Sequence, residues 1–177
     1  MPSGLARDRS RVEGRPEPLS QGQGQALTMR TVTITGSRTA GHHDPAYYTQ
    51  LFAEYLAPFA QDAHFYLGGD RGIDSLALTW LADETSAWLT VAVPGTLDQQ
   101  PPEARKAVNR AWDRIAEVAE LGADPLDDAA YLARNRWMVD RSGMVIGFPV
   151  GTSTQSGTWQ TLDYASQRGK ARLIVPI

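Results

Sequence analysis

The chain has 177 residues, the size of one ordinary domain with a core of its own. With 42% hydrophobic and 21% charged residues and no run near the roughly 20 apolar residues a bilayer span needs, it is not a helical membrane protein. Zero cysteines exclude disulfide frameworks, thiolate metal sites and cysteine nucleophiles and agree with a cytoplasmic location, while a net charge of −3 disfavours loose electrostatic binding to nucleic acid.

Residues 1–28 carry Arg7, Arg9, Arg11 and Arg15 against Asp8, Glu13 and Glu17, which leaves 13 cations and 17 anions, a net of −4, on the remaining 149 residues. The segment lacks aromatics, is rich in Gly, Pro, Ser and Gln, and shows no apolar period, so it reads as a disordered tail ahead of one domain at 29–177. Met29, directly before the first strand pattern, is an alternative start. It has no continuous apolar stretch of the secretory kind.

From Arg30 onward, short apolar runs alternate with amphipathic ones, the pattern of a parallel sheet with helices on both faces. In chain order the expected elements are a strand Thr31–Gly36, a helix Pro45–Ala57, a strand His64–Gly69, a helix Ile73–Glu84 and a strand Trp88–Pro94. A long helix Pro102–Leu121, a helix Asp127–Arg141, a strand Gly143–Phe148, a helix Ser156–Arg168 and a strand Ala171–Ile177 follow. Pro45 and Pro102 suit helix starts, and Gly122 and Gly169 suit left-handed caps. The fold expected is α/β, a Rossmann-like doubly wound sheet of about five parallel strands.

In such sheets ligands bind beyond the carboxyl ends of the strands, where helix N-termini offer free N–H groups. Three junctions there are rich in donors. After the first strand comes Gly36-Ser37-Arg38: a glycine for close approach, a hydroxyl, and a guanidinium that can fork onto phosphate. After the second comes Gly68-Gly69-Asp70-Arg71-Gly72-Ile73-Asp74, whose N–H groups could turn inward as an anion nest, although Asp70 would repel an anion unless it points away or accepts from a sugar or base. Asp74 either caps the helix or touches ligand. The third junction joins Arg134, Asn135 and Arg136 to Ser156, Gly157 and Thr158, with Gly147 and Gly151 between them. Neither GxxxxGK[ST] nor GxGxxG is present, so no ATPase, dinucleotide oxidoreductase or cofactor is expected.

Other groups read as structural. His42 and His43 are adjacent beside Asp44 and His64 lies near a strand, a poor metal set, and no GxSxG elbow is present. Trp80, Trp88, Trp112 and Trp137 are expected in the core or in helix packing, whereas Trp159, next to Ser156-Gly157-Thr158, could stack on a base.

In order and spacing these motifs resemble the Rossmann-like (SLOG) superfamily that includes DNA processing protein A (DprA, or Smf) and the Lonely Guy proteins. The strand followed by GSR, the GGDRGID loop, the Arg134–Arg136 helix and the SGT loop at Ser156–Thr158 match the DprA pattern over nearly all of residues 31–177. The stretch RNRWMVDRSGMVIGFPVG also looks like the small stand-alone members. The resemblance implies a five-stranded sheet with a ligand groove over the glycine loops, a surface that in DprA engages single-stranded DNA during recombinase loading. The chain departs from DprA in showing no flanking helical or winged-helix domain, in the loop Pro94–Glu103, and in Asp70, which stands in place of a small residue.

Two readings follow. In the first, preferred for the acidic balance, the domain is a non-catalytic sensor of a nucleotide or nucleotide-derived ligand: Arg38, Arg71, Arg134 and Arg136 hold phosphate, and Asp74 or Asn135 reads sugar or base. In the second it binds single-stranded DNA in DNA processing. A third, N-glycosidic phosphoribohydrolysis of Lonely Guy type, is disfavoured because that family's glutamate position falls on Thr161 and Asp163 lies about 200° around the helix from it. Superfamily relatives often dimerise, so a homo-dimer or higher homo-oligomer is expected.

Overall fold

The computed structural model describes residues 29–177, so the expected tail lies outside the described residues. Six strands, β1 (Arg30–Gly36), β2 (Ala63–Leu67), β3 (Trp88–Val93), β4 (Ile115–Glu120), β5 (Met144–Phe148) and β6 (Ala171–Ile174), form one sheet. All pairs are parallel, in the order β4-β3-β2-β1-β5-β6. The chain builds outward from β1 to β4, then crosses back to place β5 on the other side of β1. The order therefore reverses between β1 and β5, where open α/β sheets leave a crevice.

Six helices connect the strands: α1 (Pro45–Tyr55), α2 (Ala57–Ala60), α3 (Ile73–Glu84), α4 (Pro102–Arg110), α5 (Asp128–Arg141) and α6 (Gly157–Gln167). Asp44 caps α1 by accepting from the Tyr47 N–H at 2.9 Å, and Asp127 caps α5 through the Ala130 N–H at 2.9 Å. The helix expected through Ala57 ends at Tyr55, because Pro58 has no N–H to continue the α1 hydrogen-bond ladder and instead sits in the first turn of α2. α1, α3 and α4 bury Phe52, Leu78, Leu81 and Val108 against Ile34, Phe65 and Val91 in the main core. On the opposite face α5 and α6 pack Val139 and Leu162 against Val145, and Met138 against Ala92. A Cβ at Gly147 would lie 2.8 Å from the Leu162 methyls, so glycine there sets how closely α6 approaches β5.

The sheet has one strand more than expected, because β4 occupies the end of the segment read as the helix Pro102–Leu121. Ile115 and Val118 both pack on the main core although they are three residues apart, a helical spacing. A register shift between Leu89 and Thr90 causes this: Leu89 pairs with Ile115 but Thr90 with Glu117, which leaves Ala116 as an extra bulge residue. Two tryptophans expected inside are also outside, Trp88 at 56% and Trp112 at 55% exposure, while Trp80 is buried.

Candidate functional site

A cleft of about 410 Å³ opens at the β1/β5 switch point. Its walls come from the β1 loop (Gly36, Ser37, Arg38, Thr39), the β2 loop and start of α3 (Asp70, Asp74), one face of α5 and the start of α6. The α5 face carries Asp128, Tyr131, Leu132, Arg134, Asn135 and Met138 at helical spacing, and the α6 end carries Gln155, Ser156, Gly157, Thr158 and Gln160.

Backbone contacts lock the β1 loop in place. The Ser37 N–H donates to the Phe148 carbonyl at 3.2 Å, tying β1 to β5, and the Ile73 N–H donates to the Ser37 carbonyl at 3.0 Å. Gly72 makes that approach possible: its φ is +75°, and a Cβ there would run into the Ser37 carbonyl and the Arg38 backbone. The glycine loop is not an open nest. Its Arg71 N–H is taken by Asp70 Oδ1 at 2.8 Å, its Gly72 N–H by Glu103 Oε1 of α4 at 3.0 Å, and its Ile73 N–H by Ser37.

Free donors lie at α6 instead. Ser156 caps the helix through the Trp159 N–H at 3.3 Å, and the N–H groups of Gly157 and Thr158 have no partner among the described residues. Both residues line the cleft, and a Cβ at Gly157 would meet only open space. These amides carry the positive end of an 11-residue helix.

Four charges meet opposite that end. Arg38 Nε donates to Asp70 Oδ2 at 2.7 Å, with the arginine side chain 49% and the aspartate 8% exposed. The Tyr131 ring lies beneath both Arg38, at 4.7 Å, and Arg134, at 5.7 Å. Arg134 is 4% exposed and donates through Nη1 to the Ala92 carbonyl at 3.1 Å and through Nε to Asn135 Oδ1 at 2.8 Å. Burial pushes its pKa down, opposed by Asp74 and Asp70. Burial also pushes the Asp74 carboxyl from 3.8 up to about 6, against the pull of Arg134 and with the repulsion of Asp70. Gly68 leaves the room these two side chains occupy, since a Cβ there would strike the Arg134 guanidinium and lie 2.5 Å from Asp74 Oδ2.

The residues expected at the site separate into two groups. Gly36, Ser37, Arg38, Asp74, Arg134, Asn135, Ser156, Gly157 and Thr158 converge on the cleft. Gly68, Gly69 and Gly72 support it from behind and do not line it. Arg71 is exposed outside the cleft, and Arg136 turns away to cover the Tyr164 ring at 5.3 Å, so two arginines rather than four line it. Trp159 is also outside, with its indole N–H donating to the Gly151 carbonyl at 3.0 Å and its ring against the α6 core. The aromatic ring in the cleft is Tyr131, three residues ahead of Arg134 on the same helix, a spacing visible in the sequence. Glu103 left no such signal, because it arrives from a separate helix.

Asn135 bridges elements. Its Nδ2 donates to Thr161 Oγ1 at 2.9 Å, and that hydroxyl donates to the Gly157 carbonyl at 2.7 Å, linking Arg134 to the first turn of α6. Thr161, at the position of the Lonely Guy glutamate, is thus buried and engaged. His64 bonds Thr90 at 2.7 Å and His43 stacks on Tyr47 at 3.9 Å. Among the described residues, no three His, Asp or Glu side chains group as metal ligands, and no helix is long and apolar enough to cross a membrane.

An open parallel α/β sheet with a polar cleft at its switch point is the Rossmann-like class of ligand-binding fold. Residues 10–177 match the family model for DNA recombination-mediator protein A, and the chain belongs to that family. Solved structures agree at the level of fold. DNA processing protein A from Helicobacter pylori, described for its mode of binding single-stranded DNA, matches at TM-score 0.64 and 22% identity over 84% of this chain and 66% of that one. DprA from Streptococcus pneumoniae matches at TM-score 0.52 and 18% identity over 82% and 58%. A molybdenum cofactor binding protein from Rippkaea orientalis matches at 0.55 and 16% over 86% and 79%. The chain thus spans less than two thirds of either DprA structure. No curated protein matches its sequence.

Proposed function

We propose that the chain binds single-stranded DNA through this cleft, with one backbone phosphate seated between Arg38 and the α6 N-terminus. The observation that carries the reading is the pair of unpartnered N–H groups at Gly157 and Thr158, facing a half-exposed arginine in a member of this family. Ser37 adds a hydroxyl, and the Tyr131 ring holds the Arg38 and Arg134 guanidiniums at the cleft wall. Family membership and the subject of the Helicobacter relative weigh for DNA over the free nucleotide that the acidic composition favours. The supporting geometry accounts for one phosphate, so affinity per cleft is modest.

Fluorescence anisotropy with labelled oligo-dT at several salt concentrations tests this. A strand neutralised at several phosphates weakens with a log–log slope of about −0.7 per phosphate, and Arg38→Ala flattens the slope by about one such increment. A second reading, a nucleotide-derived small ligand, is favoured by the cleft's size, which lies at the lower end of small-molecule sites. It predicts a shallow slope and full competition by a mononucleotide. No binding of either probe defeats both.

A further inference from the structure

Asp74 and Arg134 both line the cleft, yet neither takes part in the phosphate seat between Arg38 and α6. Both are buried, Asp74 at 9% and Arg134 at 4% exposure, and both press on the bare α-carbon of Gly68. They do not pair with each other. Among the described residues no ion pair joins them and no side chain donates to the Asp74 carboxylate, which has the Asp70 N–H beside it. Arg134 directs Nη1 to the Ala92 carbonyl and Nε to Asn135 Oδ1, so the two N–H groups of Nη2 have no partner among the described residues. Burial raises the Asp74 pKa to about 6, so the group is ionised at neutral pH and can only accept. A buried carboxylate short of donors costs stability, and one kept at a cleft wall points to a ligand that brings the donors.

We infer that Asp74 selects guanine: it accepts from N1–H and the 2-amino group of one bound base, while Arg134 Nη2 donates to O6 of the same base. The inference rests on the phosphate seat proposed above, which holds the nucleotide carrying that base. Guanine alone among the four DNA bases sets two N–H donors side by side on its Watson–Crick edge, with a carbonyl next to them. The two oxygens of a carboxylate match that pair of donors, and a guanidinium nitrogen matches the carbonyl. Adenine and cytosine offer one amino group beside a ring-nitrogen lone pair, and thymine offers one N–H between two carbonyls. Each therefore turns a lone pair toward the carboxylate. A sugar hydroxyl brings one donor and leaves the second oxygen bare. Ile34, Leu132 and Met138 line the same cleft and supply apolar walls for the faces of the base. At about 410 Å³ the cleft takes one base rather than several, so selection acts at a single position of a strand.

Fluorescence anisotropy of the full chain with labelled thymidine pentamers tests this, the central base being guanine, hypoxanthine, adenine, cytosine or thymine. The guanine pentamer binds about tenfold tighter than those with adenine, cytosine or thymine, the scale of one bidentate base contact. Hypoxanthine keeps N1–H and O6 but lacks the 2-amino group, so its affinity falls between. Asp74→Asn replaces one accepting oxygen with a donor and narrows the guanine preference to about twofold or less. A purely structural role for Asp74 would move all five affinities together and keep their ratios. If the variant does not fold, the comparison of guanine with hypoxanthine on the wild type still decides. Equal affinity for all five pentamers, or an unchanged guanine preference in folded Asp74→Asn, overturns the selection of guanine and leaves phosphate binding standing. No binding of any pentamer overturns both.

Discussion

Asp74→Asn should stabilise the protein at neutral pH and leave it unchanged in acid. The folded chain holds the Asp74 proton more tightly than the unfolded chain, because burial outweighs the attraction of Arg134. Ionising the carboxylate therefore costs nothing below pH about 4, where both states are protonated, and its cost grows until the folded group has titrated near 6. A shift from 3.8 to about 6 corresponds to a penalty of about 3 kcal/mol above that window. Stability arising from this group declines as pH rises from about 4 to 6. Asparagine keeps the size of the neutral acid without the charge, so the variant behaves like the wild type with Asp74 protonated. Urea denaturation of both proteins across the window, reading midpoint and slope, isolates the Asp74 cluster because titrations of groups not coupled to it cancel in the difference. A gap that does not change with pH would falsify the argument. So would a variant less stable than wild type at neutral pH, which would mean that the ionised carboxylate supports Arg134 more than its burial costs.

Asp70→Ala releases Arg38 from its 2.7 Å ion pair and removes a carboxylate from the cleft, so affinity for oligo-dT rises several-fold at low salt. Anisotropy reads the change, and unaltered or weaker binding by a folded variant refutes competition between Asp70 and phosphate. Gly72→Ala places a methyl group on the Ser37 carbonyl at a φ of +75°, so it destabilises by about 2–4 kcal/mol in urea denaturation and loosens the β1 loop.

The sheet was legible wherever apolar runs kept their own period. β1, β3 and β5 are buried on both faces; β3 and β5 read as nearly continuous apolar runs and β1 as a run of β-branched Thr, Val and Ile before a glycine, as parallel strands should. β4 was hidden because Ala116 bulges out of register and gives Ile115 and Val118 the spacing of a helix that Glu117 and Glu120 would also favour. The site was legible as a set of loops, since glycine and hydroxyl residues after strands mark ligand edges whatever the ligand. Direction within a helix was harder to read. Arg134 and Arg136 look equivalent in sequence, but two residues turn a helix by about 200°, and this sends one into the cleft and the other over Tyr164. Occupancy of donors was not legible at all: the Gly72 N–H belongs to Glu103, 31 residues away, and only the fold brings them together.

The bond from the Ser37 N–H to the Phe148 carbonyl joins segments separated by more than a hundred residues, and the cleft has walls on both sides of it. A chain extended only as far as β4 contains four of the strands and both glycine-rich turns after β1 and β2, yet it has no second wall and no α6 amides. The cleft is thus complete only where β5 pairs with β1. Both of its walls therefore depend on the central β1/β5 pairing, and the binding proposed for it requires the whole sheet.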